Sequence, residues 1–386
     1  MQMMRKGTNS YRNWAYIISS ITGQYVTKQA ISLRMTNAWL TTVKSLVETT
    51  IKKQISKQVN PHLFKQFKNV WLQDSTCLQL PETLYEKYRC NVQNGKKSTV
   101  AKLNIVMNVL NGFCPVMSWE GFNVSEPLLG KRITEVAHKG DLIIRDLGYF
   151  GLSSFRDLQA SGVSFLSKLR YGVVVYNLQG RRIDLTELMK DKEWLDTVVL
   201  LGEQKELQTR MVVVRLPEQV IATRKRNARK HKSSTTRHSK DYYDQLDYIV
   251  FITNVSNDVW SYKEVCDAYR VRWNIEILFK SWKSGLHIDK IIPADKVKTE
   301  RVESFLYLIL LYLTWFNILL YEPLKLALFK KSKYLSILKL AQWITLNYPL
   351  FANVRIKQIL PHAERYCCYE TRGDRLNNLA KLFALT

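Results

Sequence analysis

The sequence lacks the cysteine patterns of zinc-binding and disulfide-stabilised domains. Its 386 residues include six cysteines, and no two of these form a CxxC pair or recur at a regular spacing. This argues against a zinc ribbon and a disulfide framework, and it favours a reducing compartment. A signal peptide is also missing, because Asn9, Arg12 and Asn13 interrupt the N-terminus before any apolar run of useful length. We therefore expect a cytoplasmic protein.

Acidic residues are scarce relative to basic ones. The chain has 58 Lys and Arg residues against 33 Asp and Glu, which gives a net charge of +25 and a pI near 9.7. Such a chain usually binds a polyanion, most often nucleic acid. A ribosome-associated or membrane-surface protein is the alternative. The hydrophobic content of 46% is enough for a proper core in two or three domains.

One apolar run comes close to the length of a transmembrane helix. Residues 305–321, FLYLILLYLTWFNILLY, contain no charge, but they fall short of the roughly 20 residues that normally cross a bilayer. The run also contains Thr314 and Asn317, and no second span accompanies it. It predicts a helix packed centrally against a sheet, with membrane insertion as the alternative.

Residues 1–65 predict a helical, basic region. Gly23 and Thr27 have the residue types of a turn and a helix cap, and they precede the periodic segment KQAISLRM. This arrangement suits a helix-turn-helix unit. A plain helical bundle fits the same pattern equally well.

Apolar runs typical of strands dominate residues 66–169. The run NVWLQDST carries Asp74, and the run DLIIRDLGYF carries Asp146 at its C-terminal tip. Two runs between them are joined by Asn111-Gly112, a signal for a tight hairpin. Two helical segments and a last strand, VSFLSKLR, complete the pattern. The order predicts an α/β fold with a mixed sheet.

Residues 170–255 interrupt this alternation with runs that predict antiparallel strands. They enclose the segment 223–240, TRKRNARKHKSSTTRHSK, which holds eight Lys and Arg residues and no acid. Such a run predicts a solvated or disordered loop, and in a chain this basic we expect it to touch phosphates by releasing counterions. The candidate DNA contacts in this run are Arg224, Lys225, Arg226 and Arg229.

Helical patterns resume over residues 256–330 and 331–386, and the first of these ranges contains an unusual polar stripe. On a helix that advances about 100° per residue, four side chains fall within roughly a 60° arc, with Lys280 beside them. The opposite face gathers Val271, Ile275, Leu278 and Trp282. A solvated face with an Arg272–Glu276 or Glu276–Lys280 pair, which contributes only a few tenths of a kcal/mol, is the alternative. The stripe consists of Tyr269, Arg272, Glu276 and Lys283.

A carboxylate among phosphate-binding cations makes sense if a metal ion stands between the acid and the anion. If Asp74, Asp146 and Glu276 converge, each pair at about 4 Å repels by on the order of 4 kcal/mol at an effective dielectric constant near 20. The three acids would then require divalent cations or raised pKa values. Oxygen-only ligands favour Mg²⁺ or Mn²⁺, and two such ions can promote an in-line phosphoryl displacement. Asp141 and Glu82 compete for this role, but we prefer Asp146 because strand tips beside Gly turns carry sites in α/β sheets.

These residues resemble the DDE transposases of bacterial insertion sequences, in the branch marked by a Tyr-x2-Arg-x3-Glu-x6-Lys signature. The stripe matches this signature without a gap. The run WLQDST resembles the block that carries the first aspartate, and IIRDLGYFG resembles the block that carries the second. The resemblance extends over residues 66 to 320, in order and spacing.

The resemblance implies an RNase H-like catalytic core, residues 66–169 and 256–330, with a β-rich insertion at 170–255. Asp74, Asp146 and Glu276 would be the catalytic acids and would bind two Mg²⁺ ions, for which Mn²⁺ can substitute. Water would nick the end of the element, and the freed 3′-hydroxyl would attack the opposite strand or target DNA.

The resemblance also implies how DNA would be held. Tyr269, Arg272 and Lys283 would bind the terminal phosphates, around a flipped base. Trp273 is a candidate stacking partner for that base, and a core tryptophan is the alternative. The region 1–65 would bind the terminal inverted repeats of double-stranded DNA. Paired ends would require a homodimer, and the protein would be associated with the bacterial nucleoid rather than with a membrane.

Two other classes of protein compete with this interpretation. A DNA-binding regulator, or a catalytically dead descendant, would use the basic surface and the helix-turn-helix alone, but it has no reason to keep three acids together. A membrane-associated protein would be built around residues 305–321.

Overall fold

The protein divides into two compact units. The computed structural model describes residues 10–53, 61–90, 98–230, 239–292, 299–347 and 356–370. Unit 1 comprises Met1–His62, Gln73–Ser125 and Trp273–Thr386, and unit 2 comprises Leu63–Leu72 and Glu126–Arg272. The five-part division predicted from the sequence stays a prediction.

Nine strands form one mixed sheet in the described residues, in the order β3-β2-β1-β4-β5-β9-β8-β7-β6. β4 pairs with β5 in parallel, whereas β2–β3, β5–β9, β9–β8, β8–β7 and β7–β6 are antiparallel. This confirms the mixed α/β sheet and the antiparallel strands of the insertion. The strands are β1 (Val70–Gln79), β2 (Val100–Asn108), β3 (Val116–Gly121), β4 (Leu142–Arg145), β5 (Ser164–Lys168), β6 (Val175–Tyr176), β7 (Trp194–Leu201), β8 (Leu207–Arg215) and β9 (Tyr248–Thr253).

The helices lie before, between and after these strands. The described residues contain α1 (Tyr11–Thr22), α2 (Lys28–Arg34), α3 (Asn37–Lys52), α4 (Glu126–Leu129), α5 (Leu152–Ala160), α6 (Leu185–Leu188), α7 (Glu218–Lys230), α8 (Lys240–Gln245), α9 (Tyr262–Arg270), α10 (Trp273–Lys280), α11 (Thr299–Thr314), α12 (Glu322–Phe329), α13 (Ile337–Asn347) and α14 (Ile356–Tyr366). Two π-helical segments, Ser281–Gly285 and Trp315–Tyr321, continue α10 and α11.

The turn and the helix cap predicted in the N-terminal region are both present. α1 ends at Gly23, which has a left-handed backbone with φ 69°. The Thr27 side chain accepts a hydrogen bond from Ala30 N–H and so caps α2. The Trp14 ring of α1 packs on Phe305 of α11, with 5.0 Å between the ring centroids. The turn and the cap are thus confirmed, whereas DNA binding by these helices stays a prediction.

The apolar run 305–321 lies within a helix that is mostly buried. Among the residues that the structure describes, Thr299–Phe329 is the one helical run long and apolar enough to cross a membrane, and 67% of its most apolar window is buried. The Trp119 side chain of β3 donates a hydrogen bond of 2.9 Å to the Leu306 carbonyl inside this run. The run therefore packs beside the sheet, as its Thr and Asn suggested.

The hairpin of β2 and β3 has a longer connection than the sequence predicts. The strands pair from Ala101↔Gly121 to Val106↔Val116, and Gly112 has a left-handed backbone with φ 71°. However, β2 ends at Asn108 and β3 begins at Val116, so the tight two-residue turn is wrong. Two backbone hydrogen bonds hold this longer connection. Gly112 N–H donates to the Asn108 carbonyl, and Asn108 N–H donates to the Phe113 carbonyl.

None of the six cysteines, all of which lie in the described residues, forms a disulfide. Burial raises the pKa of the Cys367 thiol to about 12. This thiol is therefore protonated at neutral pH and is a poor nucleophile.

We predict that Gly112→Ala destabilises unit 1 more than Gly23→Ala does. Both glycines have φ near +70°, where a Cβ atom costs roughly 1–2 kcal/mol. A Cβ at Gly112 would lie only 2.5 Å from Oε1 of Glu322, whereas one at Gly23 would meet nothing within 4 Å. Urea unfolding should show a further loss of roughly 1–3 kcal/mol for Gly112→Ala. Equal losses in the two variants would contradict this account.

Candidate active site

Asp74 lies in β1 at the point where the strand becomes accessible. The four preceding residues of the strand are buried, whereas Asp74 and Ser75 are partly exposed. The Oδ1 atom of Asp74 accepts a hydrogen bond of 2.7 Å from the backbone N–H of Ser75. The chain passes from unit 2 into unit 1 between Leu72 and Gln73, so Asp74 belongs to unit 1.

Asp146 directly follows the buried strand β4, as the sequence predicts. All four residues of β4 are buried, while the Asp146 side chain is 41% exposed. Its backbone carbonyl accepts a hydrogen bond from Tyr149 N–H, but its carboxylate makes no capping hydrogen bond to the turn Leu147–Tyr149. The carboxylate is therefore available to partners outside its own turn.

A buried arginine fixes the end of β4. The Arg145 side chain is 1% exposed, and because successive side chains of a strand point to opposite faces, it points away from Asp146. Its Nη1 atom donates to Ser154 Oγ at 2.8 Å, and its Nη2 atom donates to the Gly130 carbonyl at 2.6 Å. Burial lowers the pKa of Arg145 to about 10, so the group remains a cation at neutral pH. Arg145 thus joins the strand end to α5 and to the segment after α4.

Arg272 faces Asp146 within unit 2. The Arg272 Nε atom lies 3.6 Å from Asp146 Oδ1, and Arg272 is only 8% exposed. Its guanidinium also lies 5.9 Å from the centroid of the Tyr269 ring. The Tyr269 ring in turn packs on Phe251 of β9, with 5.1 Å between centroids. Arg272 of the predicted signature therefore lies beside the second acid, and Tyr269 lies next to Arg272.

Two further cations lie at the same edge of the sheet, and the sequence analysis missed both. β4 and β5 are parallel, with Arg145 opposite Ser167, so their C-terminal ends emerge together. Lys168 Nζ lies 5.2 Å from the centroid of the Tyr269 ring, and the Arg170 guanidinium lies 5.9 Å from that of Phe150. The signal was present in the strand VSFLSKLR, whose last residues are cationic and end beside Asp146.

The prediction of one continuous helix over residues 269–283 is wrong. α9 ends at Arg270 and α10 begins at Trp273. Between them, the N–H groups of Val271 and Arg272 donate to carbonyls three residues back, which tightens and ends the helical turn. Tyr269 and Arg272 consequently belong to unit 2, whereas the residues from Trp273 onward belong to unit 1. The predicted apolar face is confirmed, because Val271, Ile275, Leu278 and Trp282 are all buried.

Glu276 and Lys283 lie in unit 1 on different kinds of helical turn. Glu276 is half-buried in the first turn of α10. Lys283 is half-buried in the π-helical segment Ser281–Gly285 rather than on a regular α-helix. A π-helical turn contains more residues than an α-helical turn. Contrary to the prediction from the sequence, Glu276 and Lys283 therefore do not lie on one stripe of a regular α-helix.

The two remaining candidates on α10 are exposed. Trp273 is 52% exposed, which rules out a core tryptophan and leaves its stacking role as a prediction. Lys280, at the end of the helix, is also exposed.

The basic run 223–240 begins as a helix, not as a loop. Its first eight residues continue α7, which is anchored by buried Ile221, and residues 231–238 lie outside the described residues. Arg224 Nη1 donates to the carbonyls of Leu246 and Tyr248, each at 2.8 Å, and burial lowers its pKa. Lys225 pairs with Asp247 at 2.5 Å. The exposed candidates for DNA contact in α7 are therefore Arg226 and Arg229.

The competing carboxylates have other environments. Asp141 is 1% exposed and accepts hydrogen bonds from Trp71 Nε1, Asn69 Nδ2 and His138 N–H at 2.9–3.0 Å. It is therefore a structural residue at the start of β4. Glu82 is exposed in a short 3₁₀ turn. Glu126 was not considered from the sequence, and its carboxylate occupies the space that a Cβ atom on Gly148, in the turn after Asp146, would need.

The metal site predicted from the sequence is not visible as a cluster. Among the residues that the structure describes, no group of three or more His, Cys, Asp or Glu side chains is arranged to hold a metal ion. The assignment of Asp74, Asp146 and Glu276 as metal ligands therefore stays a prediction. Their chemistry, three carboxylates with only oxygen donors, suits a hard divalent cation such as Mg²⁺.

Comparison with known proteins gives a consistent result. A family model described as a transposase DDE domain matches residues 65–315. The chain is 25% identical over 343 residues to a transposase for insertion sequence element IS231F of Bacillus thuringiensis subsp. israelensis, which is 83% of this chain and 71% of that protein. It is 28% identical over 265 residues to a transposase for insertion sequence element IS1151 of Clostridium perfringens, 62% of this chain and 54% of that protein. It also aligns with a chain in a piggyBac transposase synaptic complex with hairpin DNA, at a TM-score of 0.38 and 10% identity, over 80% of this chain and 59% of that chain. This last likeness is too slight to add to the fold described above.

We predict that Arg224 and Arg226 differ in what they stabilise, although they lie two residues apart. Arg224→Ala removes two hydrogen bonds from a cationic donor and should lower the free energy of unfolding by about 1.5–3 kcal/mol. Arg226→Ala, at an exposed position, should change it by less than about 0.5 kcal/mol. Both variants lose one charge, so urea unfolding separates packing from charge. A large loss for Arg226→Ala, or none for Arg224→Ala, would contradict the assignment.

Proposed function

The chain belongs to the family of transposase DDE domains, and from that premise we propose that it cuts and rejoins DNA at the ends of an insertion sequence by in-line phosphoryl displacement. The relatives that it matches are transposases for insertion sequences, so the resemblance found in the sequence is confirmed at the level of the family. The identity of the catalytic acids, the binding of inverted repeats and the number of metal ions are parts of the proposal.

The position of Asp146 is the observation that carries the proposal. This acid emerges at the C-terminal end of a buried parallel strand, faces the Arg272 guanidinium at 3.6 Å, and shares its sheet edge with Lys168 and Arg170. An acid that serves only to balance surface charge does not need a buried guanidinium or a fixed strand end. An acid that handles a phosphodiester needs both, because the phosphate must be held and the carboxylate must stay ionised.

We infer that Asp74, Asp146 and Glu276 are the catalytic acids and the ligands of two divalent cations. The family requires divalent metals in general, and the oxygen-only donor set favours Mg²⁺, with Mn²⁺ able to substitute. Two such ions, when bound, would supply an activated nucleophile and would neutralise charge on the attacking and leaving oxygens. Asp74, Asp146 and Glu276 are all half-buried. All three are therefore open to a ligand.

The cations beside the acids would bind and orient the phosphate. Arg272 presents a planar fork that suits a phosphate oxygen pair, and its burial limits its motion. Tyr269 lies beneath Lys168 and beside Arg272, so its ring holds both cationic groups in place. Lys283 would contribute a point charge. Exposed Trp273 offers a face on which an unpaired base can stack.

Double-stranded DNA is the proposed partner. The net charge of +25 favours binding to the phosphate backbone through counterion release. α1, α2 and α3 are proposed to read the terminal inverted repeats, and Arg226 and Arg229 to contact the backbone. Paired ends require a homodimer. We place the protein in the bacterial cytoplasm, associated with the nucleoid and not with a membrane.

We predict that Glu276→Ala keeps DNA binding but abolishes Mg²⁺-dependent strand cleavage. Removing one acid of such a set should slow cleavage by at least about 10³-fold. The substrate is a labelled duplex taken from the DNA that flanks the coding sequence, with a scrambled duplex for comparison. Glu82→Ala is the matched control, because it removes an exposed carboxylate in the same unit and should cleave normally.

The result that would overturn the acid assignment is cleavage at the normal rate by a clean Glu276→Ala preparation. Loss of cleavage in both variants would show instead that the assay reports folding or charge rather than the active site.

A further inference from the structure

The segment that carries Lys283 is wound differently from the helix before it. Leu286 N–H donates to the carbonyl of Ser281, five residues back, at 2.9 Å, which defines a π-helical turn. Such turns are rare, and single ones inside helices frequently occur at functional sites. The extra residue in the turn shifts the direction of the side chains it contains, so Lys283 occupies a place that a plain α-helix would not give it.

A buried side-chain hydrogen bond joins this turn to a second π-helical segment. Trp282 is completely buried, and its Nε1 atom donates to Asn317 Oδ1 at 3.3 Å. Asn317 is 5% exposed, and its own backbone carbonyl accepts the hydrogen bond from Glu322 N–H that closes the segment Trp315–Tyr321. One asparagine thus takes part in both irregular turns. Burying a side-chain amide costs free energy unless the amide is hydrogen-bonded. The bond to Trp282 therefore indicates that Asn317 has a specific structural role.

The other end of the turn is clamped by α13. A Cβ atom on Gly285 would lie 2.5 Å from the Cβ of Ala341, so the backbone there approaches α13 as closely as glycine allows. The Thr345 hydroxyl donates to the Gly285 carbonyl at 2.8 Å. The hydroxyl of Ser281 donates to the Leu278 carbonyl at 2.7 Å. The turn is therefore held at both ends as well as through Trp282.

Lys283 is the one cationic residue of this rigid turn. It is half-buried, and in the described part of the chain it forms no ion pair. Serine, tryptophan and glycine make up the rest of the turn. A rigid support for a lysine that pairs with no carboxylate of the described residues is the arrangement expected of a preorganised phosphate contact.

We propose that the π-helical turn Ser281–Gly285 is a positioning device for Lys283, and that Asn317 is the positioning residue that maintains it. The inference rests on the proposed function, in which Lys283 binds a terminal phosphate. It goes beyond that function because Asn317 lies 35 residues from its partner and does not itself contact DNA. Its effect on DNA binding passes through Lys283 alone.

The test is a double-mutant cycle on the salt dependence of DNA binding. The variants are Asn317→Leu, Lys283→Ala and both together, with Asn104→Leu as a matched control because Asn104 is another fully buried amide in unit 1. Binding to a labelled duplex from the DNA that flanks the coding sequence is measured between 50 and 200 mM salt without Mg²⁺. Thermal melting confirms that each variant is folded at the temperature of the assay.

We expect Lys283→Ala to make the plot of log affinity against log salt shallower by about 0.9, the value for one phosphate contact. Asn317→Leu should give the same change, and the double variant should match Lys283→Ala alone. Asn104→Leu should leave the slope at its wild-type value. If Asn317→Leu does not fold, Thr345→Val takes its place in the cycle, since it removes the hydroxyl that holds Gly285 without changing the volume of the side chain.

The outcomes distinguish phosphate binding by Lys283 from the positioning of Lys283 by Asn317. An unchanged slope for Lys283→Ala would refute the role of Lys283 itself. A shallower slope for Lys283→Ala with no change for Asn317→Leu, or with fully additive effects, would leave that role intact and refute the positioning by Asn317.

Discussion

The parallel pairing of β4 with β5 is the constraint on which the chemistry of unit 2 depends. Because both strands run in the same direction, their C-terminal ends meet at one edge of the sheet. Asp146 directly follows β4, Lys168 is the last residue of β5, and Arg170 lies two residues beyond it. The antiparallel alternative would place these cations at the opposite edge. The parallel pairing thus places an acid and two cations at the same end of neighbouring strands.

The cations around Asp146 have two different tasks. Arg145 faces the interior and ties the strand end to Ser154 and Gly130, which fixes where the next residue emerges. Arg272 faces the carboxylate itself. A chain with a net charge of +25 would attract DNA by charge alone, but diffuse attraction does not select one phosphate. We propose that Arg272, which is buried beside the Tyr269 ring, provides that selection.

The sequence predicted the strands well because apolar runs leave a local signal, whereas the catalytic role of the acids stays a prediction. Apolar runs marked β1, β4 and β5, and the carboxylates of Asp74 and Asp146 stood out within them. The break between α9 and α10 left no such signal, since neither Gly nor Pro lies there. The π-helical turn is fixed by Asn317 and by α13, which are distant in sequence. Charge made residues 223–230 resemble a loop, although Ile221 and the bonds of Arg224 hold them in a helix.

The cations Lys168 and Arg170 illustrate the same limit in another form. Their side chains are visible in the sequence, but their meaning depends on which strand lies beside β5 and in which direction it runs. Only the pairing of Arg145 with Ser167 reveals it. Binding residues that lie at the ends of paired strands therefore become recognisable only after the sheet order is known.

We propose above all that carboxylates of this chain act on a DNA phosphate through divalent cations. Sulfur substitution of one non-bridging oxygen at the cleaved phosphate tests it most directly, because Mg²⁺ binds sulfur poorly and softer ions bind it well. We expect cleavage of one sulfur diastereomer to fail in Mg²⁺ and to return when Mn²⁺ or Cd²⁺ is added. Equal cleavage of the sulfur-substituted and normal DNA in Mg²⁺, for both diastereomers, would contradict the account.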